Sequence, residues 1–182
     1  MHTRPIAASQ LADDLERPLL YTIWAGASLL LLLPLIISQD TLFPFIVGKA
    51  LFARAMVEII FALWVVLAYV QPSYRPRRSR ILLVFGIYLG VALLAGLLGV
   101  STQRSLWSTY ERMQGVVDLA HWFLLAIVLA SVFRDFNHWR VLLSINLGVS
   151  LVMALFGIAQ HFGFSIPVYQ FIQATPRLDI TL

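Results

Sequence analysis

SLWSTYERMQGVVDLAH, residues 105–121, is a polar turn that runs straight into a hydrophobic helix. Ser108-x-x-Glu111 has the serine-to-glutamate spacing of a capping box, in which the two side chains satisfy free N–H groups at a helix start, so a helix is expected from about Thr109. From there Glu111, Gln114, Asp118 and His121 recur at steps of three and four, which stacks four polar groups on one side of an otherwise apolar helix. Such a face cannot point at lipid, and the stretch reads as lying at a membrane surface.

Apolar runs flank it on both sides. Before it, 81–100 is long enough to cross a bilayer and carries Gly86-x-x-x-Gly90 and Ala92-x-x-x-Gly96, small residues that admit a neighbouring helix. Further upstream, 49–70 is a second apolar run that contains Lys49, Arg54 and Glu58. Each ionisable group costs roughly 2.5–3.5 kcal/mol at mid-membrane on insertion scales, so their presence needs a reason. The run at 19–37 has a crossing's length and no small-residue cleavage site after it, and reads as an uncleaved signal anchor behind a polar leader, 1–18. Downstream of the opening stretch, helices are expected over 109–133 and 139–162. The last of these bears Asn146, Ser150, Gly157 and His161 on one stripe that should face the bundle. The expected fold is therefore all-α, a polytopic transmembrane helix bundle of about five crossings. The end at Asp179-Ile-Thr-Leu182 has no helix or cap, and the chain is expected to be the front part of a longer protein.

Composition supports this class. Of 182 residues, 60% are hydrophobic and only 12% charged, with a mean hydropathy of +0.84, which excludes an ordinary soluble core. The absence of cysteine excludes a thiolate nucleophile or thiolate metal site, and the four histidines show no paired ligand spacing, so neither metal nor other cofactor is expected. The net charge of +4 does not indicate nucleic acid, because the basic residues fall mostly between apolar runs. Arg4, Arg17, Arg75, Arg77, Arg78, Arg80, Arg134 and Arg140 fall on one side of the layout; Lys49, Arg54, Arg104, Arg112 and Arg177 fall on the other. By the positive-inside rule the N-terminus is cytoplasmic.

Three ionisable clusters then share the outer side: Lys49, Arg54 and Glu58; Arg104, Glu111 and Arg112; His161 and Arg177. Together they would make an electropositive pocket suited to a diphosphate, since arginine offers forked donors and lysine a point charge where water is scarce, and the same charges would stabilise a departing lipid diphosphate. Structural alternatives stand beside each residue. Lys49 could snorkel, Arg54 and Glu58 could pair one turn apart, and Glu111 could serve the cap rather than chemistry. Asp118 and His121 could satisfy each other, or His121 could be a general base. Trp107, Tyr110 and Trp122 suit the interface, and Trp107 or Tyr110 could also stack on a sugar.

FPFIVGKALFARAMVE at 43–58, SLWSTYERMQG at 105–115 followed by His121, LFGIAQHFG at 155–163 and the closing TPRLDITL resemble the N-terminal half of the O-antigen ligase family of bacterial inner-membrane proteins, which includes ligases and polymerases. The resemblance implies part of a larger fold like that of polyprenyl-dependent glycosyltransferases. It further implies metal-independent transfer, at the periplasmic face, of a glycan from undecaprenyl diphosphate to a hydroxyl of a lipid A core, a protein or another repeat unit. Lys49, Arg54, Arg104 and Arg112 would hold the diphosphate, Glu58 and Asp118 would support them, and Arg112, His121 and Glu111 are the catalytic candidates. Two rival readings are a non-catalytic membrane subunit that presents the lipid-linked glycan, and an ion-coupled transporter using Arg54, Glu58 and Asp118.

Overall fold

The computed structural model describes residues 6–35, 46–109 and 112–162. Of the positions singled out above, Arg4, 36–37, 43–45, Tyr110, Glu111, Gly163 and 175–182, Arg177 among them, lie outside the described residues. Among those described, every regular element is helical: α1 (Ile6–Leu30), a 3-10 turn (Leu33–Leu35), α2 (Val47–Val70), a second 3-10 turn (Pro72–Tyr74), α3 (Arg80–Leu98), α4 (Thr102–Trp107), α5 (Val116–Val132) and α6 (Phe136–His161). Among the described residues, three helices are long and apolar enough to cross a membrane: α2, α3, and α6 over Phe136–Ala159.

The spine of the bundle is α2. Ala53, Val57, Ile60, Trp64 and Leu67 recur at alternating steps of four and three, so they form one buried stripe. That stripe packs against Ile23, Ala27 and Leu30 of α1 and against Val128 and Val132 of α5. The approach of α1 is close at Gly26, where a Cβ would stand 2.8 Å from Cγ1 of Ile60. Outside this core, α3 packs on α5 and on α4 but exposes Ile81, Leu83, Val84, Ile87, Val91 and Leu94. Apolar side chains turned outward on a helix of this length fit a lipid-facing surface.

Several local expectations change. Helix α1 stops at Leu30 rather than running on through 37, because Pro34 has no N–H to continue the ladder and the chain tightens into the 3-10 turn Leu33–Leu35. The helix expected from Thr109 begins instead at Val116. Ser108 ends α4 with φ of 65° and Met113 has φ of 50°, so the backbone takes positive φ at two points between α4 and α5. Of the small-residue pairs in α3, Gly96 lies against Ser105 and Gly86 against Phe123, whereas Gly90 has open space around it. On α6 the buried positions are Leu142 and Val149, seven apart; Asn146, Ser150, Gly157 and His161, expected to face the bundle, are exposed.

Candidate functional site

Two rungs of polar side chains join α2 to α5. Arg54 is 8% exposed, donates through Nη2 to the backbone carbonyl of Met113, and lies 3.4 Å from Oδ1 of Asp118 through both Nε and Nη2. The other carboxylate oxygen of Asp118 accepts from Nε1 of Trp122 at 3.0 Å. One turn further along both helices, Nε2 of His121 is 3.0 Å from Oε1 of Glu58, while Nδ1 of His121 is 2.7 Å from the carbonyl oxygen of Val117. Because both rungs step forward together, 54 to 58 against 118 to 121, α2 and α5 run parallel.

These contacts revise the local pairings read from sequence. Arg54 and Glu58 do not pair with each other along α2, and Asp118 and His121 do not pair along α5; each finds its partner on the other helix. The reason is geometric: residues one turn apart share a face, and when two such faces meet, the facing groups are better aligned than same-helix neighbours. The positive charge of Arg54 is thereby balanced by Asp118, so this arginine brings no unbalanced charge to a diphosphate. His121 has both ring nitrogens engaged, Nδ1 with Val117 on its own helix and Nε2 with Glu58 across the helix contact. A carbonyl oxygen only accepts, so Nδ1 is the donor in the contact with Val117, and Nε2 is the nitrogen that faces the Glu58 carboxyl.

The remaining basic candidates spread out. Lys49 donates from Nζ to the carbonyl of Pro34 at 3.2 Å, towards the end of α1. Arg104 on α4 and Arg112 in the turn before α5 are exposed. Arg112 is next to Met113, whose carbonyl Arg54 holds, so Arg54 fixes the turn that carries Arg112. Lys49 and Arg54 thus reach different neighbours rather than one shared point.

Beside the first rung is a cavity of about 340 Å³, lined by Tyr88 and Ala92 of α3, Ser105 of α4, Gln114, and Asp118 and Trp122 of α5. Helical periodicity marks Asp118 and Gln114, whereas Trp122 reads from sequence as an interface aromatic, and Tyr88 and Ser105 carry no signal of their own. The one available clue is the four-residue step from Asp118 to Trp122, which permits the observed N–H to carboxylate bond. Backbone contact closes one side: Gly115 lies so close to Leu106 that a Cβ there would overlap the Leu106 carbonyl and come 2.8 Å from the Trp107 nitrogen. Among the described residues, no group of three or more His, Asp or Glu side chains is placed to hold a metal ion.

No family model, no curated protein and no solved structure matches the chain. The likeness to the O-antigen ligase family therefore rests on the quoted stretches alone.

Proposed function

We propose that this chain is the helical membrane part of a protein that handles a lipid-linked glycan, transferring it from undecaprenyl diphosphate to an acceptor hydroxyl at the periplasmic side of a bacterial inner membrane. On this reading the apolar part of α1 and the shorter α5 join α2, α3 and α6 as five crossings with the N-terminus cytoplasmic. They form the first part of a larger polyprenyl-dependent glycosyltransferase-like bundle. The observation that carries the reading is the cavity at the α3, α4 and α5 ends. It combines aromatic faces (Tyr88, Trp122) with hydroxyl, amide and carboxylate groups (Ser105, Gln114, Asp118), the mix that grips a sugar ring, and exposed Arg104 and Arg112 lie on the adjoining segments. Phosphate contact then falls to Arg104 and Arg112, with Arg54 acting through the turn it holds.

The test is glycan transfer in membranes from an undecaprenyl-diphosphate-linked donor. Arg112→Ala and Arg104→Ala should each reduce transfer at unchanged protein level, and a drop in membrane level with normal transfer per molecule would sink the assignment. Donor binding without transfer in the unmodified protein would favour the presenting subunit instead.

A second reading, an ion-coupled carrier, draws on the contact between two ionisable side chains, Glu58 and His121, on apolar helices. It requires proton-driven uptake into vesicles that Glu58→Gln removes; uptake indifferent to that change would exclude it.

A further inference from the structure

The arginine-rich segment 75–80 opens onto a groove of about 670 Å³ between α3 and α5. Arg77, Arg78 and Arg80 stand at its mouth, and Leu83 of α3 lines it with Phe123 and Ile127 of α5. Phe123 and Ile127 are four apart, so they share one face of α5 and form a continuous apolar wall. The two helices close together about one turn beyond Leu83. There a Cβ on Gly86 would be 3.4 Å from Cζ of Phe123, and the Phe85 ring meets the Phe123 ring edge-on at 5.2 Å.

The arginines at this end of the bundle are of two kinds. Arg75 donates from Nε to the carbonyl of Ala68 at 3.2 Å, and Arg134 donates from Nη2 to the carbonyl of Arg75 at 3.1 Å while lying 5.9 Å from the centroid of the Tyr74 ring. Both tie the segment after α2 to the bundle. Arg77, Arg78 and Arg80 are exposed, and among the described residues their guanidinium groups take part in no hydrogen bond or ion pair. The sequence holds no aspartate or glutamate from 59 to 110, so no acid on the adjoining chain offsets them. Charges that served only to orient the chain across a membrane could lie anywhere along the loop. These three gather where an apolar groove begins.

The two parts of the groove call for two parts of one guest. Three guanidinium groups within four residues suit a phosphate, whose oxygens accept from their forked donors. The wall is continuous with the exposed Val84 and Ile87 of α3 and suits an acyl chain. A free phosphate would leave the wall uncovered, and a neutral hydrocarbon would leave the charges unanswered. Basic pockets between membrane helices take lipid headgroups in this way. We propose that the groove binds an anionic phospholipid, with Arg77, Arg78 and Arg80 on its phosphate and one acyl chain along Leu83, Ile127 and Phe123. The proposal requires only that α3 lies in a bilayer, and it is independent of what fills the cavity at the other end of the bundle.

The experiment is native mass spectrometry of the protein released from dodecyl maltoside, a detergent without phosphate, after titration with phosphatidylglycerol. Arg77→Gln and Arg78→Gln should each weaken lipid binding about fivefold, and the double variant roughly twenty- to thirtyfold, at unchanged unfolding midpoints. Arg17→Gln with Arg140→Gln removes the same charge at the same end, from residues that do not line the groove, and should leave binding unchanged. Phosphatidylcholine, whose headgroup has no net charge, should bind the unmodified protein more weakly, and inorganic phosphate should not displace phosphatidylglycerol. Equal weakening by the two double variants, or equal binding of the two lipids, overturns the site. Displacement by inorganic phosphate overturns the lipid as the source of the bound phosphate.

Discussion

Arg54 and Asp118 are 64 residues apart in sequence, yet Nε of one is 3.4 Å from Oδ1 of the other, across the contact between two parallel helices. The side chain of Arg54 is 9% exposed and that of Asp118 20%. A pair so placed has little water to fall back on if one partner is lost. Asp118→Leu should therefore destabilise the protein by on the order of 3–5 kcal/mol, as should Arg54→Met, because each strands a buried charge. The double variant should recover most of the loss. Thermal unfolding of all four proteins in one detergent gives the coupling, and strictly additive losses would show the two residues to be independent.

The second rung behaves differently. Glu58 has a side chain 67% exposed against 15% for His121, so the contact is worth less. Glu58→Gln should be nearly neutral for stability, because an amide N–H can donate to Nε2 while Nδ1 continues to donate to Val117. Glu58→Leu removes the partner and should cost about 1 kcal/mol. Thermal unfolding of both variants beside the unmodified protein gives the difference, and equal losses for glutamine and leucine would show that no hydrogen bond to Nε2 is at stake.

Gly115 should not accept even a methyl group. Its Cβ would meet the backbone of Leu106 and Trp107, which cannot rotate out of the way, so Gly115→Ala should push α4 from α5 at a cost of about 1–3 kcal/mol or more. Gly90→Ala, with open space around it, should be neutral or stabilising by up to about 1 kcal/mol. Unfolding midpoints compared between the two variants decide the matter.

At the arginine-rich end, burial first, then the hydrogen bond to Glu16 and the repulsion of its carboxylate, push the Tyr74 phenol up to about 12 from its usual 10.0, against the opposing pull of Arg134. The unfolded chain therefore gives up this proton at lower pH than the folded one. The stabilisation is complete below about pH 10 and is lost as pH rises towards 12. A tyrosinate absorbance titration, differenced against Tyr74→Phe, should show one late-titrating phenol, and Glu16→Gln should bring it back down.

The helical, membrane-type character of this protein is legible in the sequence, because hydropathy and run length are local properties and a bilayer accepts few other structures. The same locality explains why α2 and α3 occupy almost the residues expected for them, 49–70 and 81–100. The start expected at Thr109 fails because the capping-box spacing is a local signal, whereas the observed turn is fixed by Arg54 from another helix and by the backbone approach of Gly115 to Leu106.

What the sequence determined on its own was which residues are anomalous: charges at 49, 54, 58 and 118 in apolar runs, each too costly to stand without a partner. Which partner each one takes was decided only by tertiary structure. Helical periodicity says which side chains share a face, but the relative rotation and offset of two helices decide which faces meet. Here those two quantities gave Arg54 to Asp118 and Glu58 to His121, and set the His138 ring edge-on against Trp24.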